Sequence, residues 1–343
     1  MKSTAKFVLS KKKLEKQLEL LSIADSISYS FKTNPEVGKI LEESTDCTFS
    51  VHSYELLDQI KDTSRIWLFA QAWDNDEIKE LTNKGISKFV VDNLTDLATL
   101  EAYLNDNKTN IQLLLRMRLK ENTVHTGKHF VFGLSANEAN NAIEKLKDNP
   151  QIEKLGIHFH RKTQNISEWS LKEELLEALT DNTLKNIQIL NIGGGLPVEY
   201  KNSHPQLQPI LNEITKLKEW LTNYNIHLII EPGRFLSAPC IDLHTTIKNI
   251  YEDNIIVDAS VYNTALDTFG AHIRLKVEGE LEQTKAPAWT IKGATPCSLD
   301  IYRYRVYLKD PKPGDNIIFK NAGAYNFATD FCGLGKIKTE VVD

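Results

Sequence analysis

Short apolar runs alternate with amphipathic stretches through the first two-thirds of the chain. The runs are Ile27–Phe31, Cys47–Val51, Ile66–Ala70, Phe89–Asp92, Ile111–Arg116, Leu155–His160, Ile187–Ile192 and His227–Glu231. Their length and near-continuity suit strands buried on both faces. Helical periodicity fills the gaps, over Glu55–Asp62, Glu77–Lys84, Leu94–Leu104, Ser135–Lys147, Ser167–Thr180 and Leu207–Tyr224. Eight strands separated by helices within roughly 200 residues predict an α/β fold, and they fit a closed (β/α)8 TIM barrel better than an open doubly wound sheet. Ahead of them, the strand-like Ala5–Leu9 leads to Leu14, Leu18 and Leu21, spaced helically behind the candidate N-cap Ser10.

Beyond about residue 238 the texture changes to short strand-like segments. These are His244–Ile250, Ile255–Val257, His272–Glu278, Trp289–Lys292 and Ile301–Leu308, punctuated by turn signals such as Pro311–Asp315. The expected organisation is a barrel over 25–238 and a C-terminal all-β domain over 239–343, with residues 1–24 contributing to the latter.

The 343 residues carry a formal net charge of -5, with lysine and arginine scattered rather than gathered in a stripe. That removes the electrostatic case for nucleic acid or an anionic membrane. Cys47, Cys240, Cys297 and Cys332 show no CxxC pair and no zinc spacing, which reads as reduced thiols in a cytoplasmic protein. The opening MKSTAKFVLSKKKLEKQLELL has no apolar core of signal-peptide length, and no segment approaches a membrane span.

In a βα barrel, chemistry gathers at the C-terminal ends of the strands. Lys32 ends the first run, Arg116 the fifth, His158 and His160 the sixth; Gly193-Gly194-Gly195 follows the seventh and Glu231-Pro232-Gly233-Arg234 the eighth. Each has a bland and a chemical reading. Lys32 either snorkels to solvent or is a desolvated amine able to form an imine. The glycines are either a flexible turn or a phosphate cradle, with unshielded amides ahead of the following helix. His158 and His160, two apart, point the same way if the strand continues; they are metal ligands, a ring-stacking surface or structural histidines. Glu231, straight after Leu228-Ile229-Ile230, needs a cationic partner: Arg116, Arg234 or a protonated ligand nitrogen.

Together, SYSFKTNP, HFHRKTQ, NIGGGLP, EPGR, TPCSLD and NAGAY occur in the order and spacing of one family. The chain resembles the alanine-racemase-like, fold-type-III decarboxylases dependent on pyridoxal 5'-phosphate (PLP), over essentially its whole length. That family includes ornithine, lysine, arginine, diaminopimelate and carboxynorspermidine decarboxylases. The resemblance implies that Lys32 carries PLP covalently, that His160 stacks on its ring and that Glu231 pairs with its pyridine nitrogen. It implies that Thr163, Gly193, Gly194, Gly195, Gly233, Arg234 and Tyr325 surround the phosphate, and that Arg116, with Arg118 as a rival, also contacts the cofactor. Cys297 resembles the cysteine lent across a homodimer interface to protonate the product. Asp300, Asp267 and Tyr262 are the candidates for the substrate's distal end.

Several positions depart from the family pattern. Ser50 stands where an aspartate is usual, His52 replaces a small residue, and HRKT replaces HVGS. Cys297 lies three residues before Asp300 where the usual gap is four, so either one residue is deleted or Pro296 has taken the cysteine's place. The expected activity is release of CO2 and an amine from a basic or polyamine-related amino acid. Diaminopimelate, or an amino acid linked to a peptide or nucleotide in a tailoring pathway, is the alternative substrate. A racemase and a non-catalytic PLP-binding homologue are the alternative activities; the glutamate at 231 favours decarboxylation, since racemases of this fold usually carry arginine there.

Overall fold

The computed structural model describes residues 3–69, 71–119 and 132–343. Its elements divide between two compact units, one over Leu21–Pro197 and Gln206–Gly233, the other over Met1–Leu20, Val198–Pro205 and Arg234–Asp343. The division therefore runs after Gly233 rather than after residue 238. It also assigns 198–205 to the second unit, where Lys201 N donates to Arg274 O at 2.9 Å and Lys201 pairs with Glu280 at 3.0 Å.

The second unit opens the chain with β1 (Lys6–Ser10) and α1 (Lys11–Glu19), and the Ser10 side chain caps the helix by accepting from Lys13 N. The first unit is the barrel. Its strands are β2 (Ser26–Ser30), β3 (Thr48–Val51), β4 (Ile66–Phe69), β5 (Lys88–Val91), β6 (Ile111–Arg116), β7 (Ile152–His158), β8 (Ile189–Asn191) and β9 (His227–Ile230). They form a closed barrel in sequence order, each parallel to the next, with β9 returning to β2. Trp67, Val90, Leu114, Ile189 and Ile229 make one buried cluster. Parallel strands covered on both faces need such apolar runs, which is why the sequence pattern locates them. The expected strand end at Ala70 lies outside the described residues.

The barrel's helices are α2 (Pro35–Ser44), α3 (Asn75–Asn83), α4 (Leu94–Asn107), α5 (Ala136–Leu146), α6 (Leu171–Ala178), α7 (Asp181–Asn186) and α8 (Leu207–Thr222). Asp74 and Ser135 each build a reciprocal capping box with Glu77 and Glu138, a local signal that fixes where helices start. The helix expected over Glu55–Asp62 is instead a 3-10 segment, Tyr54–Gln59, followed by a 3-10 turn at Thr63–Arg65. The Asp62 side chain accepts from Ser64 N and opens that second turn, so the chain has no room for a longer α-helix there.

The second unit continues with α9 (Arg234–Cys240), β10 (Ile241–Tyr251), β11 (Asn254–Val257), and the one-turn helices α10 (Val261–Thr264) and α11 (Asp267–Gly270). It ends with β12 (Lys276–Val277), β13 (Ala288–Lys292), β14 (Ile301–Tyr307), β15 (Asn316–Lys320) and β16 (Lys338–Val342). The sheet order is β12-β15-β10-β11-β13-β14, with β1 antiparallel to β10 and parallel to β16. The strand expected over His272–Glu278 shrinks to two residues, because Arg274 is drawn off to bond Asn202 and Lys201. Among the described residues no helix is long and apolar enough to cross a membrane.

Candidate active site

Lys32 sits not on a strand but in the 3-10 turn Phe31–Thr33 that follows β2. The turn is pinned from both sides. Asn34 accepts from Glu36 N and Val37 N to cap α2, with Pro35 in its first turn, and Tyr29 Oη donates to Asn34 O at 3.0 Å. Gly233 faces the same turn so closely that a Cβ there would lie 2.2 Å from Thr33 Oγ1. Close packing alone therefore requires that glycine. Lys32 keeps solvent-facing surface, yet the protein crowded around its ammonium pulls the pKa below the ordinary lysine value. Glu231 opposes that shift and Arg116 reinforces it.

Glu231, buried at the end of β9, gathers donors from three other strand ends. Ser50 Oγ donates to Oε1 at 2.6 Å, Asn191 Nδ2 to Oε1 at 2.9 Å, and His158 Nε2 to Oε2 at 3.1 Å. Burial pushes its pKa up, but these partners prevail and hold it below the usual carboxylate range. His158 is itself fully buried, and desolvation lowers its pKa against the pull of Glu231. We read the pair as a carboxylate beside a neutral imidazole. An ionised carboxylate offers about four acceptor positions, so Oε2 retains one for a cationic N–H. None of its partners is an arginine, which removes the internal ion pair as the explanation of this acid.

β7 ends at His158, so the alternation that would align the two histidines stops before His160. His160 instead accepts a hydrogen bond from Gly194 N on Nδ1, at 3.1 Å. Its pKa falls to about 3 through crowding of the ring and the nearby Arg116, with Glu231 opposing. The accepted amide bond acts in the same direction, since protonating Nδ1 would break it. His52 stacks on Phe69 with centroids 4.3 Å apart. Its pKa also falls to about 3, through burial first and Lys32 second. Phe69 meets His158 edge-on at 5.0 Å. Arg116 closes β6, with its guanidinium over Phe132 at 5.5 Å. Among the described residues no group of three or more His, Cys, Asp or Glu side chains could hold a metal ion.

The glycine run behaves differently from the expectation. Gly193 N is taken by Asn191 Oδ1 at 2.9 Å and Gly194 N by His160, so two of the three amides serve the protein itself. Gly193 and Gly195 adopt φ of +65° and +100°, which only glycine takes without strain. A Cβ on Gly194 would lie 2.7 Å from Glu231 O. The helix α8 does not begin until Leu207, so no helix N-terminus follows the glycines directly. The loop after His160 is fastened by Arg161, buried and paired with Glu174, and by Lys162 with Glu168 at 3.3 Å. Thr163 is exposed in that loop. This explains HRKT: its two cations bind Glu174 of α6 and Glu168 of the loop itself.

The second unit holds the remaining candidates. Arg234 is paired with Asp267, donates to Tyr200 Oη at 3.2 Å, and lies 5.2 Å from the centre of the Tyr325 ring. Burial opposes its charge, but Tyr200 and Asp267 outweigh burial and raise its pKa. Tyr262 Oη lies 3.0 Å from Cys297 Sγ. Asp300 is 1% exposed and accepts from Val261 N, Thr295 N and Thr295 Oγ1 at 2.9, 3.1 and 2.7 Å. Asp300 therefore holds its own turn, and Asp267 neutralises Arg234. Both acids, expected to meet a substrate cation, have protein partners in this structure.

Sequence reasoning missed Ser50, Asn191 and His158 as partners of Glu231. Ser50 had been flagged only as a departure, and no sequence signal linked three strand ends 40 to 181 residues away from the acid.

These features fit pyridoxal phosphate. The mouth offers an accessible lysine with a lowered pKa, an ionised buried carboxylate with an acceptor to spare, and glycines that bring backbone close. The sequence profile for the pyridoxal-binding domain of pyridoxal-dependent decarboxylases matches residues 10–238, and the chain belongs to that family of PLP enzymes. Among curated proteins it is 25% identical over 266 residues to the diaminopimelate decarboxylase of Zymomonas mobilis, covering 73% of this chain and 63% of that protein. It is 24% identical to the 2-[(L-alanin-3-ylcarbamoyl)methyl]-2-hydroxybutanedioate decarboxylase of Staphylococcus aureus, over 74% of this chain and 70% of that one. A probable ornithine decarboxylase of Dictyostelium discoideum is 22% identical over 88% of this chain and 70% of its own length. Among solved structures, the fold matches diaminopimelate decarboxylase from Helicobacter pylori complexed with L-lysine at a TM-score of 0.81 and 19% identity, covering 100% of this chain and 92% of that one. It matches the lysine decarboxylase of Selenomonas ruminantium at a TM-score of 0.79 and 20% identity, over 98% and 92%.

Proposed function

We propose that this protein removes the α-carboxyl group of a basic amino acid as CO2, using pyridoxal phosphate carried on Lys32. The observation that supports this best is the Glu231 site: a buried carboxylate kept ionised by three donors, with one acceptor position still open. When bound, the cofactor supplies the sink for the electron pair left by the departing CO2. Glu231 holds a proton at the pyridine nitrogen, because its low pKa makes it a permanent anion there. Lys32 meets the cofactor aldehyde as a more readily deprotonated amine than an ordinary lysine. His160, with Nδ1 tied to Gly194, presents a neutral ring face of fixed orientation.

Arg116, Thr163, Gly193, Gly194, Gly195, Gly233, Arg234 and Tyr325 are the further cofactor contacts in this reading, and Cys297 gives the proton to the product carbon. The reading extends to a homodimer whose partner lends that cysteine, and to polyamine biosynthesis in the cytoplasm. Supplying ornithine, lysine, arginine, diaminopimelate and carboxynorspermidine in turn, and measuring CO2, tests it. Release from at least one is the expected result, and release from none defeats the proposed substrate class.

One observation favours a second reading. Asp267 is engaged by Arg234 and Asp300 by its own turn, so the acids expected to meet a distal ammonium are occupied. The Staphylococcus relative acts, by its name, on an amino acid joined through an amide to a hydroxybutanedioate. A substrate of that conjugated kind needs no such ammonium site.

A further inference from the structure

We infer that Tyr262 is a positioning residue for Cys297, donating its phenol O–H to Sγ and so stabilising the thiolate left when the thiol gives up its proton. The inference rests on the reading of Cys297 as proton donor. The Oη–Sγ separation of 3.0 Å is a hydrogen-bond distance for sulfur. The direction follows from chemistry, since a phenol is a strong donor and a thiol a weak one.

Both partners are held in place. The Tyr262 ring stacks on Phe331 at 4.0 Å and 28°, and on Phe269 at 5.5 Å and 24°. Its backbone is fixed by Ser260 Oγ, which accepts from Tyr262 N at 3.2 Å, and by Thr329 N, which donates to Tyr262 O at 3.0 Å. Cys297 lies in the turn that Asp300 organises: Cys297 N donates to Thr295 Oγ1 at 3.4 Å, and Asp300 N to Cys297 O at 3.1 Å. Buried Asp300 thus positions the loop that presents the thiol.

The proton balance is simple. The Sγ–H bond breaks and its proton passes to the product carbon, while sulfur keeps the electron pair. The Tyr262 O–H bond stays intact and shortens its contact with the new anion, and solvent returns a proton to sulfur. A hydrogen bond to an ion is stronger than one to the neutral group, so the pairing makes the thiol a stronger acid. The other groups acting on the thiol are the backbone amides of Leu299 and Asp300, which favour the thiolate, and the Asp300 carboxylate, which opposes it; Cys332 lies beside Tyr262. The Tyr262 interaction comes first among the causes that lower the Cys297 pKa, and the phenol rises to about 12 in return.

The test is the pH profile of iodoacetamide alkylation on the full PLP-loaded protein, followed peptide by peptide in a mass spectrometer. Cys332, exposed in the same samples, is the internal reference. Tyr262→Phe should raise the Cys297 midpoint by about 0.5 to 1 pH unit, hence about three- to tenfold less thiolate at neutral pH, allowing for solvent screening. An unchanged Cys297 midpoint in Tyr262→Phe overturns the inference. If that variant lets buried Cys47 or Cys240 react, its fold is disturbed and Phe331→Ala decides instead. That variant keeps the phenol but removes its stacking face, so a smaller rise supports the pairing and no change overturns it. Normal product protonation by Cys297→Ala would sink the donor reading, yet leave the thiol titration as it is, so the two failures are separable.

Discussion

Glu231 is ionised because His158 first, and then Ser50, offset its burial cost, with Asn191 as a third donor. Removing one of them tests that directly. Ser50→Ala leaves a buried carboxylate short of a charge-assisted bond, and should cost about 1.5–3 kcal/mol of folding stability. A urea midpoint measured without cofactor reads that loss; an unchanged midpoint would mean Ser50 contributes nothing to the carboxylate. Acid stability tests the same cluster. Folding lowers the pKa of Glu231, His52 and His160, so the native state binds fewer protons than the unfolded chain. Stability from these groups is present at neutral pH. It is lost first as pH falls below the unfolded histidine value of about 6.5, and further below the glutamate value of about 4.5. Unfolding midpoints recorded from neutral pH down to about pH 4 should therefore fall steadily, and a flat profile would contradict the assigned directions. The residues alone drew attention to Lys32 and Glu231, because each stands at the end of an apolar run, but they left a bland reading open for both, and the roles proposed for them come from the family resemblance. Ser50 and Asn191 were not legible as partners of Glu231, since a small polar residue in a strand looks ordinary until its partner is known. Asp267 and Asp300 were picked out as acids near a candidate thiol, and only the fold shows that Arg234 and the Thr295 turn are their present partners.

At the scale of elements, the barrel strands were readable because β2 to β9 are buried on both faces and so cannot alternate polar with apolar. Their ends were less readable. Helical geometry at Phe31–Thr33 removes Lys32 from the strand, and β7 stops before His160. In the second unit β15 and β16 escaped notice, since Asn316 and Lys320 confine the apolar run of β15 to three residues, and Lys338 and Glu340 leave β16 little apolar pattern. The glycine run carries a prediction at this scale. Gly194→Ala drives a Cβ to within 2.7 Å of Glu231 O, so strands β8 and β9 must separate or the loop must shift. We expect a loss of about 1–3 kcal/mol together with weaker PLP uptake, measured by thermal melts and cofactor titration. Gly335→Ala, where nothing lies within 4 Å, is the matched control and should be near neutral. Equal behaviour of the two variants would show that close approach at Gly194 does not matter.

For the whole molecule, each unit is a complete structure of its own type: a closed parallel barrel that carries Lys32 and Glu231, and a mostly antiparallel sheet whose connecting segments carry Cys297 and Tyr262. The reading of Cys297 as a residue lent by a partner predicts a dimer. Sedimentation velocity of the active enzyme should give the dimer mass, and an active monomer would remove the shared-site proposal. Whether the substrate is a free basic amino acid or a conjugate turns on what meets its distal end, and the substrate panel, extended by an amino acid amide-linked to a hydroxy acid, separates the two. Beneath all of these lies the attachment of the cofactor. Borohydride reduction of the PLP-loaded protein, followed by peptide mapping, should find the pyridoxyl phosphate mass on the peptide containing Lys32 and on no other, and Lys32→Ala should abolish it. An adduct on a different lysine, or none in the wild-type protein, would contradict the assignment of Lys32 as the residue that carries the cofactor.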